Sequence, residues 1–275
     1  MKLDVVTRKP RHPSLYPPLL FVHGACHAAW CWEEHFLDFF ATKGFDAYAL
    51  SLRGHGRSEG RTSLRWTSVS DFVADIRAIA STLPSSPVLI GHSLGGLVVQ
   101  KYLERYDAAG VVLLASSPVH GMFRSGLRLS FRHPLLFAKV YLTLDPGALY
   151  ATPAHVRQFL FSDGLVDERI ARYADQLGSE SFRAFLDMTF DPPHVKRIRT
   201  KNRPMLVLGS TDDMIVTASE VEETARAYAA PMRLFDSMGH DMMLEDRWLI
   251  VAEHIQHWLE DVYLSDGQPG RHGTE

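Results

Sequence analysis

The stretch that most constrains this chain is Val88-Leu89-Ile90-Gly91-His92-Ser93-Leu94-Gly95-Gly96-Leu97-Val98-Val99. An apolar run too short for a helix ends at Gly91. A serine and two glycines follow, and then apolar residues at helical spacing (Leu94, Leu97, Val98, Tyr102). The pattern predicts a strand, a tight turn and a helix, with Ser93 at the apex. Such a turn strains the serine backbone, so the positions two before and two after it must lack side chains, as Gly91 and Gly95 do. Gly-x-Ser-x-Gly in this context presents a hydroxyl as a nucleophile and sets the next backbone N–H beside a developing oxyanion.

The rest of the chain alternates in the same way. Leu3 to Thr7 reads as an edge strand, and the proline-rich Arg8 to Pro18 as a connection. Leu19-Leu20-Phe21-Val22, Phe45 to Leu52, Val111 to Ala115 and Pro204 to Gly209 are short, continuously apolar runs of the kind buried on both faces of a parallel sheet. Helices are expected over Trp32 to Thr42, after a cap at Ser70 or Asp71, over Leu94 to Tyr106, over Ser219 to Tyr228 and over Trp248 to Leu264. A short strand is expected at Met232 to Phe235. This alternation predicts an α/β fold with a mostly parallel central sheet flanked by helices, whose ligands sit at the carboxyl ends of the strands.

Between about Pro118 and Ile198 the strand pattern stops and helical segments dominate. The stretch is rich in large apolar groups, among them Phe123, Phe131, Phe137, Tyr141, Tyr150, Phe159, Phe161, Phe182, Phe185, Met188 and Phe190. More than half are expected to pack inward, yet such a lining favours an apolar acyl or aryl group over a sugar. Arg124, Arg128 and Arg132 follow one helix face and read as a solvated stripe. His55 and Arg57, in Gly54-His55-Gly56-Arg57-Ser58, read as structural.

A serine hydroxyl is a poor nucleophile at neutral pH and needs a base within hydrogen-bond reach. An imidazole can take its proton and pass it to the leaving group, and a carboxylate must hold the other ring nitrogen. Of 14 histidines, His240 stands out because it follows a glycine, in a loop after the last expected strand and before the closing helix. The acid is Asp212 or Asp213, adjacent residues after a strand end. Asp241 reads as a loop-stabilising residue.

Gly91 to Gly96, with His23-Gly24, Gly54-His55-Gly56-Arg57-Ser58, Asp213 and Gly239-His240 in that order, resembles the α/β-hydrolase superfamily over about residues 15 to 262, as a serine esterase or lipase-like protein. The resemblance implies the triad Ser93, Asp213 and His240, with Asp213 preferred because Met214-Ile215-Val216-Thr217 after it looks like the family's acid loop. It also implies backbone oxyanion donors at Ala25 and Leu94, and a helical cap inserted after the sixth strand. The expected domains are a core of residues 1–117 and 199–264, a cap of residues 118–198 and a disordered tail at 265–275. Epoxide hydrolases and haloalkane dehalogenases of this fold carry an aspartate at the elbow, so both are disfavoured. His23-Gly24-Ala25-Cys26-His27-Ala28-Ala29-Trp30-Cys31-Trp32 resembles plant methylesterases and hydroxynitrile lyases. The lyases, however, carry a lysine near the catalytic histidine, where this chain has Asp241-Met242-Met243.

The resulting expectation is a cofactor-free, metal-free serine hydrolase acting on a small ester with an apolar acyl or alcohol part. Thioester or carbon–carbon cleavage would use the same groups, and a ligand receptor on the same fold is the alternative of another class. A net charge of −3 argues against nucleic acid as a partner. No apolar run is long enough for stable membrane insertion. Met1-Lys2-Leu3-Asp4-Val5 lacks a signal-peptide layout. Cys26 and Cys31 form no Cys-x-x-Cys pair, so idle thiols in a reducing compartment, the cytoplasm, are expected.

Overall fold

A computed structural model describes residues 1–199 and 203–264; the disorder expected at 265–275 falls outside them. Seven strands form one sheet: β1 (Asp4–Arg8), β2 (Leu19–Val22), β3 (Ala47–Ser51), β4 (Val88–His92), β5 (Gly110–Leu114), β6 (Met205–Ser210) and β7 (Met232–Phe235). Their order is β1-β3-β2-β4-β5-β6-β7, with β1 antiparallel to β3 and the remaining pairs parallel. Every residue of β2 to β6 is buried, as continuous apolar runs require when helices cover both faces of a sheet. From β2 the chain continues to β3 on one side, and from β4 to β5 on the other. The strand order therefore reverses between β2 and β4, and the crevice at their carboxyl ends is the switch point where such sheets hold ligands.

The helices are α1 (Trp30–Glu33), α2 (Phe36–Thr42), α3 (Val69–Ala80), α4 (Leu94–Leu103), α5 (Phe123–Arg132), α6 (Pro134–Thr143), α7 (Pro153–Leu160), α8 (Asp167–Ala174), α9 (Phe182–Phe190), α10 (Val195–Arg199), α11 (Ala218–Tyr228) and α12 (Trp248–Leu264). α2 packs with α12, while α3 and α10 pack with α4, and α11 with β6. Phe21 of β2 meets Trp32, Phe36 and Phe40 at ring-centroid distances of 5.1, 6.2 and 5.6 Å. All four are fully buried, and truncating any one of them to alanine would cost about 3–5 kcal/mol.

Two local expectations need correction. The helix read over Trp32 to Thr42 is broken at His35, whose φ of −144° leaves the helical region and whose ring stacks on Trp248 at 4.5 Å. α3 is capped by Ser68 rather than by Ser70 or Asp71. The Ser68 hydroxyl accepts from the Asp71 N–H, and the Asp71 carboxylate accepts from the Ser68 N–H at 2.9 Å, a reciprocal capping box.

Among the described residues, every regular element between β5 and β6 is helical, from α5 to α10 with a 3₁₀ turn at Pro146–Tyr150, so the helical insertion expected after the sixth strand follows the fifth instead. The arginine stripe on α5 is only partly solvated: Arg128 turns inward, donates to the Ile215 carbonyl at 2.8 Å and reaches the Glu220 carboxylate. No helix of the described residues is long and apolar enough to cross a membrane.

Candidate active site

Ser93 sits between β4 and α4 with φ 50° and ψ −117°, a conformation that L-residues rarely adopt. Its cost is on the order of 1–3 kcal/mol, and the surroundings enforce it. A Cβ on Gly91 would stand 2.7 Å from the Gly95 carbonyl oxygen, and one on Gly95 would collide with the carbonyl oxygens of Val22 and His23. The Ser93 N–H donates to Leu114 O at 3.2 Å, and its own carbonyl accepts from Ser117 N at 3.1 Å. Both bonds fasten the turn to β5 and the loop after it. Ser93 is partly exposed amid buried neighbours.

His240, in the loop after β7, places Nδ1 2.7 Å from Asp213 Oδ2, and both side chains are buried. The other Asp213 oxygen accepts from Ile215 N at 2.7 Å and Val216 N at 2.9 Å. One carboxylate edge is thus tied to its own loop and the other to the imidazole, which fixes the ring orientation. Burial works against a charged imidazole here, but the Asp213 charge and hydrogen bond outweigh it and raise the His240 pKa. Asp212 is exposed, and its carboxylate accepts from Thr211 Oγ1.

Two further histidines flank the pair, His92 beside His240 and His27 beside Asp241. His92, the residue before Ser93, lies with its ring 4.7 Å from that of His240 and directs Nε2 at the His240 carbonyl at 3.1 Å. Burial and the neighbouring His240 push its pKa down to about 3, so Nε2–H is the donor of a neutral ring. His27 directs Nδ1 at Ala25 O at 2.8 Å and Nε2 at Asp241 Oδ2 at 2.9 Å. Asp241 is fully buried; burial alone would raise its pKa, but His27 and the other histidines hold it below the usual carboxylate value. The ligating atoms of His92, His240 and Asp241 lie within 4.8 Å of one another. His240 Nδ1, His92 Nε2 and Asp241 Oδ2 are, however, already engaged in these hydrogen bonds.

The loop after β2 is equally constrained. Leu52 N donates to His23 Nε2 at 3.0 Å, which leaves the proton on Nδ1 to donate to Gly24 O at 2.8 Å. Burial lowers the His23 pKa well below the ordinary value, in keeping with this neutral tautomer. His27 N also donates to Gly24 O, at 3.3 Å. In a trans peptide the carbonyl and the following N–H point in opposite directions, so pinning Gly24 O aims the Ala25 N–H away from His23. Among the described residues, neither Ala25 N–H nor Leu94 N–H donates to a protein acceptor.

The helical insertion touches both loops. Asp241 N donates to Leu160 O of α7 at 2.9 Å, and a Cβ on Gly239 would stand 2.6 Å from that same oxygen. Glu245 accepts from Gly239 N at 2.8 Å and from Ser162 N at 2.6 Å. On the other side, Gly178 N donates to Cys26 O at 2.8 Å. A cavity of about 1050 Å³ lies between insertion and core. Cys26 and His27 line it together with Trp30, Trp66, Leu144 and Tyr150, while Ser93 and His240 do not. Both cysteines are free and buried, and burial raises their thiols well above the ordinary pKa.

Residues 19–254 match the Alpha/beta hydrolase family. The chain belongs to the alpha/beta hydrolase family. Within it, the chain is 30% identical over 251 residues to a non-heme chloroperoxidase of Streptomyces lividans, covering 82% of this chain and 86% of that protein. It is 25% identical over 254 residues to the pFDCC methylesterase MES16 of Arabidopsis thaliana, covering 86% of each. The crystal structure of a putative non-heme bromoperoxidase, BpoC, from Mycobacterium tuberculosis H37Rv superposes with a TM-score of 0.75 at 18% identity, over 95% of this chain and 97% of that one. This last likeness concerns the fold alone. For an alpha/beta hydrolase, the arrangement brings Ser93, His240 and Asp213 to the carboxyl edge of one sheet. The sequence left four contributors outside the site: His23, His27 and His92, which hold its loops, and Glu180. For His23 and His92 the signal lay in the motifs themselves, one residue from Gly24 and from Ser93.

Proposed function

We propose that this alpha/beta hydrolase is a serine hydrolase of carboxylic esters, working through Ser93, His240 and Asp213 by way of an acyl-enzyme. The observation that carries the reading is the buried His240–Asp213 pair, whose imidazole lies 4.7 Å from the ring of His92, the residue before Ser93 in the strained elbow. Ser93 Oγ attacks the ester carbonyl while His240 takes its proton. The negative oxygen that forms is stabilised by the N–H groups of Ala25 and Leu94, which have no acceptor among the described residues. His240 then protonates the departing alcohol, and the same base activates water to release the acid. No cofactor or metal enters this sequence of steps. The similarity to a methylesterase supports an ester as substrate. The large apolar side chains of the insertion, Phe137, Tyr150, Phe159 and Phe161 among them, support an apolar acyl or alcohol part. The helical insertion acts as a cap, since it contacts the loops that carry His240 and Ala25.

The test is a time course with p-nitrophenyl esters of increasing acyl length, on wild type and Ser93→Ala, together with labelling by a fluorophosphonate. Turnover and labelling are expected in wild type and absent from a folded Ser93→Ala protein, with the optimum chain length sizing the pocket. Turnover by Ser93→Ala, or no label on folded wild type, would reject Ser93 as nucleophile. Labelling without ester turnover would point to a thioester, a carbon–carbon bond or a non-catalytic ligand.

A further inference from the structure

We propose that Glu180, from the segment of the insertion between α8 and α9, is a positioning residue for the oxyanion donor Ala25; the inference rests on the serine-hydrolase reading above. The Glu180 side chain is fully buried. Its Oε2 accepts from Cys26 N at 3.0 Å and meets His55 Nε2 at 3.1 Å, and its Oε1 accepts from Ser181 N at 2.6 Å. His55 Nδ1 faces the Arg53 carbonyl at 3.1 Å. With acceptor oxygens at both ring nitrogens, His55 donates twice, as an imidazolium paired with the carboxylate.

Cys26 immediately follows Ala25 and holds a left-handed φ of 66°. Its N–H is taken by Glu180 and its carbonyl by Gly178 N at 2.8 Å, so one short segment of the insertion grips both ends of this residue. The carbonyl of the Ala25–Cys26 peptide is held from the opposite side by His27 Nδ1 at 2.8 Å. That peptide plane is therefore fixed at its oxygen by one histidine–carboxylate pair and at its nitrogen by another. With Gly24 O pinned by His23, the Ala25 N–H keeps a single direction. Burying the Glu180 carboxylate brings a desolvation cost that a salt bridge need not repay. The cost falls beside a strained residue next to the site, where strain is often tied to function. His55 also neutralises a negative charge that would otherwise lie close to the developing oxyanion.

The experiment compares Glu180→Gln, Glu180→Asp and Glu180→Ala with wild type in kcat, KM and the rate of fluorophosphonate labelling, with folding followed by thermal melts. Glutamine keeps an acceptor for Cys26 N, whereas aspartate keeps the charge but withdraws it by one methylene. Glu180→Asp and Glu180→Ala are expected to lose about 10- to 100-fold in kcat and in labelling rate, with KM within about threefold, and Glu180→Gln to recover most of the loss. A folded Glu180→Asp or Glu180→Ala with wild-type kcat would overturn the proposal, as would a Glu180→Gln no faster than Glu180→Asp. If Glu180→Ala fails to fold, the glutamine and aspartate variants decide. If wild type takes no label on Ser93, the serine-hydrolase reading itself falls and the proposal falls with it.

Discussion

Asp212 and Asp213 are neighbours in the chain but experience opposite environments. Asp213 is buried between His240 Nδ1 and two backbone N–H groups, whereas Asp212 faces solvent. Asp213→Asn would offer a donor where the His240 Nδ1–H requires an acceptor. A loss of about 10³- to 10⁴-fold in kcat is expected, against no more than about twofold for Asp212→Asn. The same pair sets the pH profile. In the proposed mechanism His240 accepts the Ser93 proton only when neutral, and Asp213 raises its pKa despite burial. The acid limb of kcat/KM is therefore expected above pH 6.5 in wild type and lower in Asp213→Asn; an acid limb that does not move would show that Asp213 leaves His240 unperturbed. Ser93 was legible in the sequence because everything its turn demands, Gly91 and Gly95 above all, lies within two residues. His240 was legible from its glycine and its place before the closing helix. Glu180 was not, because its partners Cys26 and His55 lie 154 and 125 residues away and its surrounding residues form no motif.

At the level of elements, the turn between β4 and α4 holds only because the backbone comes very close to Gly95. A methyl group there meets the carbonyl oxygens of Val22 and His23, which belong to β2 and to the loop bearing Ala25 and cannot move independently of the sheet. Gly95→Ala is expected to lower the unfolding free energy by about 3 kcal/mol or more. Gly126 in α5 is the contrasting case, since a Cβ there meets nothing within 4 Å. Gly126→Ala is expected to raise stability by about 0.5–1 kcal/mol. Urea unfolding of both variants checks the opposite signs, and a neutral Gly95→Ala would mean that β2 and α4 are not wedged together as described. The strands themselves were readable because a run buried on both faces has no polar phase to confuse it. The break between α1 and α2 was not, because it is decided by His35 lying flat on Trp248, a residue of the last helix. The cap of α3 was misplaced by two or three residues for a simpler reason: Ser68, Ser70 and Asp71 all suit a helix start, and only the reciprocal bonds single out Ser68.

At the level of the whole molecule, four of the buried histidines fall into two groups with opposite effects on stability. His55 and His240 are buried, which alone would lower their pKa values, but Glu180 and Asp213 raise them. Their contribution is complete below about pH 6.5 and is lost as pH climbs through the folded-state values. His23 and His92 are kept neutral, with pKa values lowered by burial. Below pH 6.5 the unfolded chain binds protons that these two rings refuse, so stability falls toward acid by about 1.4 kcal/mol per pH unit for each ring. For His92 the window runs from 6.5 down to about 3. These two acid-sensitive rings are the ones that brace the Ala25 loop and the His240 carbonyl, so acid weakens the molecule at its site while leaving the His55–Glu180 and His240–Asp213 pairs intact. His92→Gln isolates one of them, since the amide can still donate to His240 O while nothing at that position titrates. The unfolding free energy of this variant, measured by urea melts from pH 6.5 to 4.5, is expected to fall less steeply than that of wild type by about 1.4 kcal/mol per pH unit. Equal slopes would mean that His92 accepts a proton in the folded state, and the neutral Nε2–H donor beneath His240 would have to be abandoned.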